Sequence, residues 1–85
     1  LGVVIGPAVV IGDNVTIFQN VTLGAKVNGE EYSAPIIGNN VVIGAGSCIL
    51  GDVTVGNNVK IGANSVVLTN IPDNCLAVGV PAQIK

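Results

Sequence analysis

Aliphatic residues recur along this chain at intervals of six. A first set of four is followed by a second set of six, and every step inside each set has this same length. Glycine occurs one residue after these positions seven times, and asparagine occurs three residues after them six times. The repeated positions are Ile5, Ile11, Ile17 and Leu23, then Ile37, Ile43, Ile49, Val55, Ile61 and Val67.

Each of these ten hexads predicts a short strand followed by a turn. Side chains alternate along a strand, so the repeated residue and the residue two positions before it point inward, while the neighbours point outward. Asn and Gly then tolerate the left-handed backbone angles of a turn. A hairpin meander would need turn pairs at irregular spacing, whereas a constant period of six predicts a parallel β-helix. We therefore expect an all-β fold with the ten repeated residues in one narrow core.

One interval departs from the period. The step from Leu23 to Ile37 exceeds the expected six by eight extra residues. We assign them to an external loop, Val27 to Ala34 (27–34), which contains both glutamates and the only tyrosine. The predicted organisation is a β-helix over residues 1–70, with this loop outside it, and a C-terminal tail over residues 71–85 that packs on the helix.

Composition and charge exclude several classes of protein. The chain has 85 residues, enough for at most one small domain with a limited core, and a partner is expected to complete it. Three lysines, no arginine and a net charge of −2 provide no basic stripe for a phosphate backbone, so nucleic-acid binding is not expected. The apolar runs are interrupted every few positions, so membrane insertion is not expected either.

Cysteine and histidine usage bounds the chemistry. Cys48 and Cys75 lack CxxC spacing, and we expect two reduced thiols in a cytosolic protein. No histidine is present, so a histidine-based dyad or a three-histidine zinc site cannot be built from these 85 residues alone. The chain opens with Leu1 and not Met, and we expect natural sequence upstream of it.

An apolar column is predicted to point outward in two adjacent coils. It consists of Cys48, Leu50, Val66 and Leu68. An exposed patch of this kind usually meets another subunit, which predicts a homotrimer when combined with the small size. The alternative is that the C-terminal tail of the same chain covers the patch.

Small residues gather at one predicted corner. The sequences Gly44–Ser47 (GAGS) and Gly62–Ser65 (GANS) lie three hexads apart, and Lys60 stands on the adjoining face. Small side chains would leave a groove in which an extended ligand reaches main-chain groups, and the lysine suits a phosphate. The alternative is that small residues merely suit a tight corner.

Three stretches carry a family resemblance over essentially the whole chain: 15–25 (VTIFQNVTLGA), 43–52 (IGAGSCILGD) and 61–84, with its AVGVPA tail. The chain resembles the left-handed β-helix acyltransferases, specifically the serine acetyltransferase branch and its sugar and polysaccharide relatives. The resemblance implies a single-stranded left-handed β-helix of triangular coils, each made of three hexads, here about three and a third coils with one external loop. It also implies a trimer that uses acetyl-CoA, whose pantetheine arm lies along a corner between two subunits.

The resemblance further implies where the cofactor would lie. Ala45 and Ala63 would contact the pantetheine through their backbones, and Lys60, Thr69 and the tail residues 79–82 would lie near its far end. It implies no catalytic residue and no metal ligand within this chain. The candidate cofactor-binding residues are Ala45, Lys60, Ala63, Thr69, Gly79 and Pro81.

Some positions depart from the family pattern. Serine acetyltransferases end the loop in Asp-Arg-His-Pro, whereas this chain has Tyr32, Ser33, Ala34 and Pro35. The other family histidine, the general base, would fall two places before Leu1. Gln83 stands where a basic residue is common for the 3′-phosphate of CoA.

These observations predict an acetyl-CoA-dependent O-acetyltransferase of cytoplasmic location that acts on a hydroxyl of serine or of a sugar or glycan precursor. Glu30 or Glu31 is a possible base, although glutamates in a polar loop are usually solvated. A non-catalytic trimeric scaffold is the alternative. A β-helix carbonic anhydrase would need histidine ligands, which this chain lacks.

Overall fold

The computed structural model describes the backbone of residues 2–28 and 31–85, and the side chains of all of these except residues 26–28, 31 and 32. Within this part of the chain the regular elements are short strands. They are β1 (Val4–Ile5), β2 (Val10–Ile11), β3 (Thr16–Ile17), β4 (Thr22–Gly24), β5 (Lys26–Asn28), β6 (Glu31–Ser33), β7 (Ile36–Ile37), β8 (Val42–Ile43), β9 (Cys48–Leu50), β10 (Thr54–Val55), β11 (Lys60–Ile61), β12 (Val66–Val67), β13 (Leu76–Val78) and β14 (Gln83–Ile84).

The strands form three parallel sheets that the chain visits in turn. Face one consists of β1, β4, β9 and β12, face two of β2, β7 and β10, and face three of β3, β8, β11 and β13. Pairing joins residues three hexads apart in the regular coils, as in Val67 with Ile49 and Ile61 with Ile43. Each hexad therefore forms one face of a three-sided prism, and the predicted parallel β-helix is confirmed.

At the insertion, residues 26–28 and 31–33 leave this prism as two antiparallel strands (the hairpin), which begin one residue before the predicted loop 27–34. Lys26 pairs with Ser33 and Asn28 with Glu31, which joins β5 to β6 outside the three faces. The register of the faces resumes after the hairpin, as in the pairing of Leu23 with Ile49. The separation of these two partners is one coil of three hexads plus the insertion. The insertion is a paired element, which the repeat pattern alone did not indicate.

Asparagine makes most of the left-handed turns. Outside glycine, a positive φ occurs among the described residues at Ala8, Asn14, Asn20, Asn40, Asn58, Asn64 and Asn74, with φ between 57° and 66°. Asparagine adopts this region more readily than most residues because its short polar side chain bonds locally. Five of the six asparagines that lie three residues after the repeated positions thus turn the chain from one face to the next, whereas Asn70 has no positive φ.

The core is aliphatic and narrow, and it is closed in the middle of the prism. Seven of the ten repeated residues, from Leu23 to Val67, are at most 3% exposed. Ile11 and Ile17 are partly buried against them. The prediction was wrong for Ile5, which is 46% exposed although it pairs in register with Leu23. Ile5 belongs to the first coil, and within the described residues no coil covers that end.

Parallel pairing continues beyond residue 70. Ile71 bridges to Val55 on face two, and β13 pairs with β11 on face three through Ala77 and Ile61. The partners in these pairs are two positions closer in sequence than three hexads, so the last coil is shorter than the others by that amount. Strand β14 then returns antiparallel to β13. The parallel pairing runs through residue 70 without a break. The division of the chain into a β-helix and a tail at that residue stays a prediction.

No helix in the described ranges has the length and apolar content needed to cross a membrane.

Candidate functional site

The corner between faces two and three is closed by a ladder of polar side chains. The Asp13 N–H donates to Oδ1 of Asn39 at 2.8 Å, and the Asn39 N–H donates to Oδ1 of Asn57 at 2.8 Å. The Asn57 N–H donates in turn to Oδ1 of Asp73 at 2.7 Å. We call these four residues the ladder corner. The side chains of Asn39, Asn57 and Asp73 each saturate an outward backbone donor of the coil before, which leaves that donor unavailable to a ligand.

The corner between faces three and one has no such ladder among the described residues. Two residues after each inward strand residue, where the ladder corner carries Asp and Asn, this corner carries Gln19, Ala45, Ala63 and Gly79. A methyl group or a hydrogen accepts no hydrogen bond. Within residues 2–28 and 31–85, the N–H groups of Gln19, Ala45 and Ala63 therefore have no acceptor. We call these four residues the alanine corner.

The alanine corner is otherwise stacked as tightly as the ladder corner. The Asn64 N–H donates to the carbonyl oxygen of Ala45 at 2.8 Å, which joins two coils. A Cβ atom on Gly44 would lie 2.6 Å from the backbone nitrogen of Ala63, so only glycine fits there. The floor of the corner is bare main chain, with open donors on Ala45 and Ala63.

Two serines brace the alanine corner from the core side. Ser47 and Ser65 are 0% exposed, and they are the only buried polar residues among the described part of the chain. The Ser47 hydroxyl donates to the carbonyl oxygen of Gly62 at 2.8 Å and accepts from the Ser65 N–H at 3.3 Å. The Ser65 hydroxyl accepts from the Gly79 N–H at 3.2 Å. The hexad pattern predicts that both serines point inward, but it does not predict the hydrogen bonds that join them to Gly62 and Gly79.

Three of the six predicted cofactor residues lie together on the alanine corner. Ala45 is half-buried, and Ala63 and Gly79 are exposed. Gly79 has a positive φ of 106°, and its carbonyl oxygen accepts from the Val66 N–H at 3.0 Å. This bond joins the C-terminal tail to the lower end of the corner.

The remaining three predicted residues surround the corner less closely. Lys60 is exposed on β11, the strand of face three that leads toward Ala63. Pro81 is exposed in the tail and follows a cis peptide bond from Val80. Thr69 is exposed at the opposite edge of face one. A single chain therefore does not bring Thr69 to the alanine corner, and its role stays a prediction.

A second concavity lies at the corner between faces one and two, where the hairpin leaves the prism. This hairpin corner encloses a groove of about 570 Å³ lined by Ala25, Leu50, Gly51, Asp52 and Leu68. The hexad pattern predicts Leu50 and Leu68 as members of an outward apolar column but does not predict this groove. They remain 38% and 54% exposed, so the tail of the same chain does not cover them.

Other candidate chemistry is sparse. Among the described residues, no three His, Cys, Asp or Glu side chains form a group that could hold a metal ion. The Cys75 thiol donates to the carbonyl oxygen of Asp73 at 3.4 Å, and both cysteines are free. Glu30 and the side chain of Glu31, considered as possible bases, lie outside the described part.

Comparison with known proteins identifies relatives of the same repeat. The family "Bacterial transferase hexapeptide (six repeats)" matches residues 34–69. A serine acetyltransferase of Synechococcus elongatus is 46% identical over 99% of this chain and 34% of its own length. Serine acetyltransferase 1, chloroplastic, of Arabidopsis thaliana is 52% identical over 98% of this chain and 26% of its own length. A putative colanic acid biosynthesis acetyltransferase, WcaB, of Escherichia coli K12 is 51% identical over 66% of this chain and 35% of its own length.

Solved structures agree with the sequence relatives. A serine acetyltransferase in complex with cysteine superposes with a TM-score of 0.93 at 46% identity, over 99% of this chain and 33% of that protein. A serine acetyltransferase of Brucella abortus in complex with coenzyme A superposes with a TM-score of 0.90 at 46% identity, over 95% of this chain and 32% of that protein. These matches confirm the left-handed parallel β-helix. The chain spans about a third of the length of these relatives.

Proposed function

Because this chain is a left-handed hexapeptide-repeat β-helix of the serine acetyltransferase-like type, we propose that it forms the acetyl-CoA-binding part of an O-acetyltransferase. The acetyl group would pass to a hydroxyl of serine or of a sugar or glycan precursor. Both acceptor classes have support in the relatives, which include serine acetyltransferases and a putative colanic acid biosynthesis acetyltransferase.

The open backbone donors of the alanine corner carry this proposal. Pantetheine is an extended arm with two amides, each of which needs a donor and an acceptor from its site. The N–H groups of Ala45 and Ala63 lie in successive coils and have no acceptor among the described residues, so no side chain there competes with a ligand for them. A bare corner also permits close approach of a ligand to main chain.

Charge favours one orientation of the ligand along this corner. Lys60 and Lys85 are exposed, and both lie toward the tail end of the prism. The phosphates of CoA are anionic, so the nucleotide would lie toward the tail and the thioester toward the first coil. Gln83 provides no charge for the 3′-phosphate, and the two lysines are the positively charged side chains available there among the described residues.

Acetyl transfer needs a base and an oxyanion donor beyond the binding groove. The acceptor oxygen attacks the thioester carbonyl, its proton passes to the base, and the CoA thiolate leaves. Main-chain N–H groups can hold the developing oxyanion. The 85 residues contain no histidine, so the proposal assigns the base to a residue outside them. The alternative, a non-catalytic scaffold, shares the fold and would not bind CoA.

The acceptor specificity rests on the end of the hairpin. Ser33 and Ala34 are half-buried where the resemblance places an arginine and a histidine. Neither Ser33 nor Ala34 can form an ion pair with a carboxylate, so these residues cannot bind the carboxylate of a free serine acceptor in that way. A sugar hydroxyl needs no such pair, which makes a glycan precursor an equally good acceptor.

Titration calorimetry with CoA tests the proposed function directly. We expect binding to the assembled protein and no turnover by these 85 residues alone. Ala63→Phe should abolish the binding, because residue 63 faces the groove and not the core, whereas Phe in place of the exposed Ile36 on face two should not change it. Absence of CoA binding by the verified oligomer, or binding that survives Ala63→Phe, would favour the scaffold.

We also propose a cytoplasmic homotrimer assembled through face one. Leu50 and Leu68 are exposed beside the half-buried Cys48 and Val66, and this apolar strip continues across adjacent coils. A trimer would bury the strip against a neighbouring subunit. Multi-angle light scattering should give a trimer that Leu50→Asp dissociates, because a buried unpaired carboxylate is costly.

Leu76→Asp provides the matched control for this substitution. Leu76 is 42% exposed on face three and Leu50 is 38% exposed on face one, so the two changes introduce the same charge at similar exposure. A trimer that persists in Leu50→Asp, or a monomer for the unaltered protein, would contradict assembly through face one.

A further inference from the structure

The inward pattern of the hexads is interrupted at two places. The residue two positions before each repeated residue points inward, and it is aliphatic or proline in eight hexads and serine in the other two. Those eight residues are Val3, Val9, Val15, Val21, Pro35, Val41, Val53 and Val59. The two serines, Ser47 and Ser65, directly follow the turns that carry Ala45 and Ala63. Among these ten inward positions, hydroxyl groups thus occur only behind the alanine corner.

A buried hydroxyl requires partners, and both serines have them. Burying a hydroxyl without a hydrogen bond costs free energy that a valine in the same place would not cost. The Ser47 hydroxyl bonds Gly62 and Ser65, and the Ser65 hydroxyl bonds Gly79. Gly62 precedes Ala63, and Gly79 lies in the tail. The serines therefore hold main-chain atoms on both sides of the open donors.

The two corners fix their backbone from opposite sides. On the ladder corner, the carboxylate and amide oxygens of Asp73 and Asn57 grip the turns from outside, and the equivalent inward residues are Val41 and Val59. On the alanine corner the outside must stay clear if a ligand is to reach the backbone. There the backbone is held from the core side, by the hydrogen bonds of the Ser47 and Ser65 hydroxyl groups to Gly62 and Gly79.

We propose that Ser47 and Ser65 are positioning residues for the acyl-CoA groove, an inference that rests on the function proposed above. They orient the peptide groups around Ala63 toward the ligand and connect those groups to Gly79 of the tail. Ligand binding and tail docking are thereby coupled through one buried hydrogen-bonded pair. Neither serine contacts the ligand, because both are 0% exposed.

The test compares two variants of Ser65 whose side chains have nearly the same shape, one with a hydroxyl group and one without it. Ser65→Val and Ser65→Thr introduce side chains of nearly equal size that differ by a methyl for a hydroxyl, and valine already occupies the equivalent position in most hexads. We expect Ser65→Val to fold and to bind CoA about tenfold more weakly, the factor expected for one lost hydrogen bond. Ser65→Thr should retain the affinity. Calorimetry with CoA measures both.

Amide hydrogen exchange distinguishes positioning from a purely structural role, because a structural role predicts no effect of Ser65 on how CoA changes the exchange rates of the tail. In the unaltered protein CoA should slow exchange of the Gly79 and Ala82 amides, because the tail and the groove are coupled. In Ser65→Val this effect of CoA should disappear while the circular dichroism spectrum is unchanged. If the valine variant fails to fold, Ser65→Ala serves the same comparison, because it also removes the hydroxyl.

Val59→Thr is the mirror change behind the ladder corner. It places a hydroxyl at the equivalent 0% exposed position, and it should lower stability with no change in CoA affinity. Unchanged CoA affinity and unchanged exchange in Ser65→Val would overturn the positioning role while the proposed function stands. No CoA binding by the unaltered oligomer would overturn the proposed function itself, and the positioning role with it.

Discussion

The ladder corner and the alanine corner have the same backbone and opposite surfaces. Both turn through a residue with positive φ, Asn58 at 57° on one and Asn64 at 58° on the other, and both join adjacent coils through main-chain hydrogen bonds. They differ in the residue just before that turn residue, Asn57 against Ala63. The amide saturates the donor of the preceding coil, and the methyl leaves it open. If CoA binds at the alanine corner as proposed, its groove arises from the removal of side chains from a repeating scaffold.

The difference also shows how the repeat tolerates a corner without the outer ladder. In a β-helix each coil is held mainly by the coils beside it, so stability is spread over many similar contacts. Loss of the outer ladder at one corner removes one contact per coil, and the serines replace part of it from the core side. The contrast between the corners is testable by substitution.

The largest expected effect is on the strand that connects the two corners. Ile43 ends β8 between them and is 0% exposed. Ile43→Ala should lower the free energy of unfolding by about 2–5 kcal/mol, because the coils on either side cannot collapse into the cavity. Chemical denaturation measures the change. Ile36→Ala, at the 48% exposed Ile36 on face two, is the control and should cost much less; an equal cost would mean that the faces do not share one closed core.

The next effect tests whether one corner can be converted into the other. Ala63→Asn gives the alanine corner the ladder residue found at position 57, and the new amide oxygen should accept from the Ala45 N–H. We expect CoA affinity to fall by about tenfold or more with stability unchanged or slightly raised. Calorimetry and thermal denaturation on the same sample measure both quantities. Tight CoA binding with the ladder rebuilt would show that the open donors are not the binding groups.

The reverse change should affect stability alone. Asn57→Ala removes the acceptor of the Asn39 N–H and should destabilise the protein by about 1 kcal/mol, the usual net worth of one hydrogen bond. Chemical denaturation measures the loss. CoA affinity should stay the same, since the ladder corner takes no part in binding. A weaker affinity in this variant would mean that the two corners are coupled through face three.

The smallest expected effect concerns charge beside the alanine corner. Lys60→Ala should weaken CoA binding severalfold at low ionic strength and less at high ionic strength, because an exposed lysine–phosphate contact is screened by salt. Titrations at two salt concentrations measure the slope. Lys85→Ala provides the comparison at the other exposed lysine near the tail, and a salt dependence that is equal in all three proteins would remove Lys60 from the site.

The period of six predicted most of the fold because each hexad obeys the same local chemistry. Strand alternation placed Leu23, Ile43 and Ile61 inward, and five of the six asparagines three residues on turn the chain as expected. The prediction was wrong at Ile5, because a periodic pattern does not show whether a neighbouring coil covers a given position. The extra interval indicated an insertion correctly but gave no sign of its antiparallel pairing.

The candidate site could be predicted only in part. The small residues at positions 45 and 63 marked the alanine corner, and Gly79 joins them there through the Ser65 hydroxyl. Thr69, which the resemblance places near the far end of the cofactor, lies across face one in a single chain, and its role stays a prediction. The groove at the hairpin corner is lined by Ala25 and by Leu50 and Leu68 of the two following coils. The repeat predicts which residues stack in adjacent coils, but it does not predict the shape of the groove between them.

The sequence by itself determined the periodic part of this protein, because alternation and turn preference act between residues only a few positions apart. It determined which residues point inward, where the turns occur and that one segment leaves the coil. The tertiary structure decided which polar groups find partners. Whether a backbone N–H is saturated depends on a side chain one coil away, as Asn39 depends on Asn57, and whether a hydroxyl can be buried depends on a carbonyl in the next coil, as Ser47 depends on Gly62. Those contacts exist only once the coils have stacked.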